Sequence, residues 1–156
     1  MSVGLGTASF VSGGVVVGAL VAVNAVGEVF DEDGVLLAGA RSIAEDGARD
    51  AEPESEHSLP MLPGTNTVIG VVATNAKLNR ERGNLLALAA HEGISEAIRP
   101  SHTAWDGDTI FTLATGEHEE VDQRLLETLA QAAMAAAIRS GVRAAEGVLG
   151  APKAGR

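Results

Sequence analysis

Gly64-Thr65-Asn66-Thr67-Val68-Ile69-Gly70-Val71-Val72-Ala73-Thr74-Asn75 places a hydroxyl residue at the mouth of an apolar, β-branched run. Asn66 stands directly before it, and turn residues lead in. The run is short and rich in β-branched side chains, which predicts a buried strand over Val68–Ala73. At such an entry, scission of the preceding peptide bond would make the threonine a new N-terminus. An N-terminal threonine carries its own base, because its α-amine can take the proton from its hydroxyl. Thr67 is therefore the candidate nucleophile, and Asn66–Thr67 the candidate scission point.

Upstream, Val15-Val16-Val17-Gly18-Ala19-Leu20-Val21-Ala22-Val23-Asn24 reads as a second strand. Its apolar residues run on without alternation, the pattern of a strand covered on both faces. Asn24 is the first polar side chain after that run, at a strand end where sites are often built. Gly4–Ser9 and Ser12-Gly13-Gly14 read as flexible or turn-forming around Phe10-Val11. Residues 31–64 read as a mobile surface loop, with a turn at Asp31-Glu32-Asp33-Gly34 and one helical turn near Arg41–Ala48.

Downstream, Asn79 is a candidate N-cap for an amphipathic helix from Arg80 to about Ile98, which Pro100 ends. Gly93 lies on its apolar stripe and is expected where the helix touches the sheet closely. A third strand is expected over Thr109–Thr115, ended by Gly116. A long helix follows from about Glu119 to Val142, with Val121, Leu125, Leu129, Ala132 and Ala136 on one face. Strands and helices in this order predict a layered α/β domain.

The chain has 156 residues, 46% of them apolar and 3% aromatic, so the core should be built from small aliphatic side chains packed closely. The absence of cysteine excludes a disulfide framework and a thiolate metal site. A net charge of −10 argues against nucleic-acid and anionic-membrane partners. The apolar segments are too short to span a bilayer and no basic leader precedes the first, so the expected compartment is the cytoplasm.

Asp106-Gly107-Asp108 lies just before the third strand, as Thr67 lies at the start of the second. If those strands are neighbours, hydroxyl and carboxylates converge at one end of the sheet. Two acids there would hold an N-terminal ammonium, and an amide such as Asn24 would donate to an oxyanion. Taken alone, Asp-Gly-Asp is also an ordinary turn composition. His91 and His102 show no metal-ligand spacing, and Arg99 and His102 read as braces for the loop that carries Asp106.

Several ungapped blocks resemble one known family. Asn66–Ala76 resembles the start of the small chain in the DmpA-type aminopeptidases, which include β-peptidyl aminopeptidases and the nylon-oligomer hydrolase. The likeness continues through Ala90–Ile94, Ala97–Thr103 and Asp106–Gly116, and upstream through Gly4–Ser9 and Val17–Asn24. The resemblance implies an αββα sandwich of the Ntn-hydrolase type and a precursor that cuts itself between Asn66 and Thr67. The freed Thr67 would cleave amides in small peptides or related oligomers, with no cofactor and no metal. Carried over, Asn24 is the oxyanion or orienting amide, and Asp106 and Asp108 position the Thr67 amine and hydroxyl.

The family also carries about as much chain again upstream, including a lysine just before the Gly-rich turn, where this sequence has Met1-Ser2-Val3. Lys77 is out of register with that lysine. The 156 residues therefore resemble the C-terminal half of such an enzyme, a single partial domain. Residues 1–66 match the end of the large chain, and residues 67–156 match the small chain. Association with the missing N-terminal half or a homo-oligomer is expected. The alternative reading is a catalytically incomplete fragment that folds only by such association, and a metal-dependent hydrolase is a third.

Overall fold

The computed structural model of the chain describes residues 4–39, 66–104, 106–119 and 121–145. Gly13 and Gly14 have φ of 57° and 84°, the backbone that a two-residue hairpin turn needs and that glycine adopts without a Cβ clash. They join β1 (Gly4–Ser12) to β2 (Val15–Val23) as an antiparallel pair. The stretch expected to be flexible, Gly4–Ser9, is thus a strand. Its glycines serve close packing: a Cβ on Gly6 would collide with the Ala137 carbonyl and the Gly141 backbone of the last helix.

The chain continues through β3 (Glu28–Phe30), β4 (Leu36–Ala38), β5 (Ile69–Ala76), α1 (Arg80–Ala97), β6 (Ile98–Arg99), β7 (Thr109–His118) and α2 (Gln123–Ala144). The main sheet has the order β1-β2-β5-β7, with β5 antiparallel to β2 and parallel to β7. A small sheet, β4-β3-β6, stands apart from it. Part of the segment expected to be a loop is therefore ordered, since Leu36–Ala38 pairs with β3. The helical turn expected near Arg41–Ala48 lies outside the described residues.

Both helices cover one face of the main sheet. The core between them holds Val17, Val21, Val23, Val72, Leu86, Ile94, Met134 and Ile138, all almost wholly buried. The Asn79 side chain accepts from Arg82 N at 2.9 Å, so α1 starts at the expected cap. Gly93 meets α2 rather than the sheet, with Gln131, Met134 and Ala135 against it. The buried stripe of α2 is Leu126, Ala130, Ala133, Met134, Ala137, Ile138 and Gly141, one position round from the expected face. The helix begins at Gln123, four residues later than expected, capped by Asp122, whose side chain accepts from Arg124 N. Likewise Gly116 does not end β7. With φ of 77° it accompanies a register shift, and the strand runs on to His118.

The opposite sheet face corrects the expectation of burial on both sides. Along β2 burial alternates, with Val17, Ala19 and Val21 inside and Val16 and Leu20 exposed. Leu5, Leu20, Ile69, Phe111 and Leu113 are each half or more exposed on this open face. No helix among the described residues is long and apolar enough to cross a membrane.

The Gly6–Gly141 approach gives a direct test of helix-on-sheet packing. Gly6→Ala should cost about 2 kcal/mol through backbone displacement, and lower the melting temperature by several degrees. Gly18→Ala, whose Cβ would meet its nearest atom at an ordinary 3.6 Å, should leave it nearly unchanged.

Candidate active site

Two ladders meet at Thr67. β2 and β5 pair with Ala22 opposite Ile69, and two steps beyond this ladder Asn24 stands opposite Thr67. There the Thr67 N–H donates to the Asn24 carbonyl at 2.7 Å. β5 and β7 pair with Ile69 beside Thr109, so the same two steps bring Thr67 beside Gly107. Asn66 and Asp106 form a parallel bridge at this point. Within it the Gly107 N–H donates to the Asn66 carbonyl at 3.3 Å, and Thr109 N–H donates to Val68 at 2.9 Å. The three positions singled out separately in the sequence therefore meet at one end of one sheet.

The structure assigns these residues more definite contacts than the sequence did. Asn24 reaches Thr67 through its main chain. Asp108 Oδ1 accepts from Val68 N at 2.9 Å, clamping the peptide just after Thr67. Asp106 Oδ2 accepts from Thr103 N at 2.7 Å, and Asp106 N donates to the Thr103 carbonyl, so this carboxylate folds back on its own loop. Of the two predicted braces, His102 holds, with Nδ1 at 3.5 Å from Asp108 Oδ2. Arg99 instead lies 5.0 Å over the Phe30 ring and ties the small sheet together.

Gly107 is the residue that sequence reasoning passed over as part of a turn. A Cβ there would sit 2.9 Å from the Thr67 hydroxyl oxygen, so a side chain would press on the candidate nucleophile. Its N–H also points at the carbonyl of the candidate scission bond. Its place between the two aspartates was the available signal.

Charge at this end of the sheet is set mainly by burial. The Asp108 side chain is 6% exposed. Desolvation pushes its carboxyl above the ordinary aspartate value; the Val68 N–H pulls it down, Asp106 pushes it up, and His102 and His91 pull it down. His91 is held below the ordinary histidine value by burial first, then by His102. Among the described residues no group of three or more His, Asp or Glu side chains is arranged to hold a metal ion.

A mixed sheet with a threonine at the entry of a central strand, and helices on one face, defines a class of fold. The fold is that of the Ntn-hydrolase variant seen in the L-aminopeptidase D-Ala-esterase/amidase of Ochrobactrum anthropi. That structure superposes with a TM-score of 0.64 at 23% identity, over 97% of this chain and 43% of that one. Sequence narrows the class: residues 1–154 match the profile described as Peptidase family S58, and the chain belongs to that family. It is 39% identical to an uncharacterized aminopeptidase of Mycobacterium leprae, over 96% of this chain and 46% of that protein. It is 32% identical to a 6-aminohexanoate-oligomer endohydrolase of an Agromyces species, over 64% of this chain and 29% of that enzyme. The chain thus spans less than half the length of these relatives. Its sheet and helices correspond to one β layer and one α layer of an αββα sandwich.

The raised Asp108 carboxyl has a testable sign. Between the ordinary aspartate value and the raised one, the folded chain binds more protons than the unfolded chain. Stability from this group therefore grows as pH falls through that window and declines as pH rises. Asp108→Asn keeps an acceptor for Val68 N and never ionises. Urea melts should find it at least as stable as the parent at neutral pH, with the difference shrinking on acidification.

Proposed function

We propose that this chain is the nucleophile-bearing part of a self-processing amide hydrolase, cut between Asn66 and Thr67 to give residues 1–66 and 67–156. One observation carries the reading: the Asn66–Thr67 peptide bond is held on both sides. Its nitrogen donates to Asn24 O at 2.7 Å, and its carbonyl accepts from Gly107 N–H at 3.3 Å. The Thr67 hydroxyl adds to the Asn66 carbonyl carbon, and Gly107 N–H supports the developing oxyanion. Collapse breaks the C–N bond and leaves an ester on Thr67 Oγ and a free α-amine. Water then hydrolyses the ester and releases the Asn66 carboxylate.

The same groups serve turnover. The freed amine, still held by the Asn24 carbonyl, takes the hydroxyl proton as Thr67 Oγ attacks a substrate amide. It returns that proton to the departing amine, and water hydrolyses the acyl-ester. Asp108 fixes the Thr67–Val68 peptide, and Asp106 fixes the loop that carries Gly107. The names of the relatives, an aminopeptidase and an endohydrolase of 6-aminohexanoate oligomers, support amides of small peptides or related oligomers as substrates.

Denaturing mass spectrometry tests the cut. The parent should resolve with time into two fragments split at Asn66–Thr67, whereas Thr67→Ala remains whole. Gly107→Ala should slow scission by tenfold or more, since it crowds Oγ and moves the carbonyl's donor. A parent that stays intact as long as Thr67→Ala removes the proposal.

The open sheet face indicates how such an enzyme is completed. Leu5, Leu20, Ile69, Phe111 and Leu113 form an apolar face of the kind that packs against a second sheet. The relatives have more than half their length beyond what this chain matches. We assign that face to the second β layer, supplied by the rest of the enzyme. Alone, the chain should self-associate on gel filtration, and Leu20→Glu with Phe111→Glu should return it to a monomer. A parent that elutes as a monomer and takes up no hydrophobic dye contradicts this assignment.

A further inference from the structure

Asp108 has two oxygens and two engagements. Oδ1 accepts from Val68 N at 2.9 Å, and Oδ2 lies 3.5 Å from His102 Nδ1. On the far side of the imidazole, Nε2 lies 3.3 Å from the His91 carbonyl oxygen. A carbonyl only accepts, so in this contact Nε2 carries a hydrogen. A neutral ring with its hydrogen on Nε2 has a bare lone pair on Nδ1, facing the carboxylate. The Nδ1–Oδ2 contact is favourable only with one further proton, on the ring or on the carboxyl.

We propose that His102 is the proton partner of Asp108, the pair holding one shared proton beside the Thr67–Val68 peptide. At 3.5 Å the two groups meet as a charge pair, so the proton reaches either of them through solvent; on Nδ1 or on Oδ2 it leaves the pair's total charge unchanged, and Oδ1 accepts from Val68 N in both states. His102 is thus a positioning residue that acts on the nucleophile's peptide through Asp108. Its backbone supports the assignment: φ is 55°, the left-handed region that a residue with a side chain seldom occupies. The turn holds this conformation while aiming the ring at a carboxyl that is 6% exposed. The ring itself is 39% exposed, so it can exchange its proton with solvent. The titratable groups facing it are His91 from α1, whose ring is 5.3 Å away, and Asp108; behind them Glu92 acts on His91 and Asp106 acts on Asp108. After scission the Thr67 ammonium joins them.

The shared proton stands on geometry alone, whereas its effect on reaction rests on the hydrolase reading. The two are separated by measuring both on the full chain. His102→Asn suits the left-handed backbone and puts an uncharged amide near the place of Nδ1; His102→Gln is the second variant. Imidazole nitrogen NMR should find neutral His102 with its hydrogen on Nε2. The Asp108 carboxyl carbon should titrate at higher pH in both variants, because the cation that favours its ionised form is gone. An Nδ1–H tautomer, or an Asp108 titration unmoved by both variants, overturns the shared proton. In a chain that cuts itself, the acid side of the scission profile should move to higher pH with the Asp108 titration. A profile that stays in place overturns the positioning role. A parent that is never cut sinks the hydrolase reading, and the Asp108 titration still decides the shared proton.

Discussion

The site depends on the hydrogen-bond ladders on either side of the entry to β5. A strand's register is fixed wherever one face is buried, because a slip of one residue turns every side chain to the wrong face. Val68 and Val72 are completely buried, so β5 has one register available against β2 and one against β7. Those two registers put Asn24 and Gly107 on opposite sides of Thr67. The bonds that close the sheet at this end are also the bonds that hold the Asn66–Thr67 peptide. Structure and chemistry share the same donors and acceptors there.

Small side chains keep that end of the sheet in place. With 3% aromatic residues, the core is a close contact of backbones rather than a stack of rings. Gly6 against Gly141 brings α2 onto the sheet, and Gly93 against Gln131 and Met134 brings α1 onto α2. Such packing leaves little room for displacement. Asp108 is covered in the loop before β7, where it meets Val68 at the entry to β5 and His102, whose ring reaches the His91 carbonyl of α1. That burial raises the Asp108 carboxyl, and the Val68 N–H and His102 act against it.

The open face of the sheet connects the fold to the chain's family. Val16, Leu20, Ile69, Phe111 and Leu113 give the strands their unbroken apolar character, and the helices account for only one of the two sides. The solved relatives are more than twice as long as the part this chain matches, and one of them is described as a variant of the Ntn-hydrolase fold. Unbroken apolar strands and an exposed apolar face among the described residues both fit the second β layer proposed above.

The sequence by itself determined the elements that local chemistry specifies. The β-branched run after Thr67, the Asn79 cap, Pro100 after α1 and the apolar run of β2 were all legible, as were the motifs that resemble the family. Read locally, it misassigned Gly4–Ser9 and Gly116, because a glycine that permits close approach or a bulge looks the same as one that loosens a chain. The face of α2 was missed by one position, since an alanine-rich helix offers little contrast between its sides. Which polar residues meet was decided only by tertiary structure. Asn24, Thr67 and Asp108 are each separated by about 40 residues, and the two ladders alone bring them together. Gly107 and His102 gained their meaning in the same way: one is aimed by a ladder bond and the other by a left-handed turn, and neither geometry is written in the residue's own type.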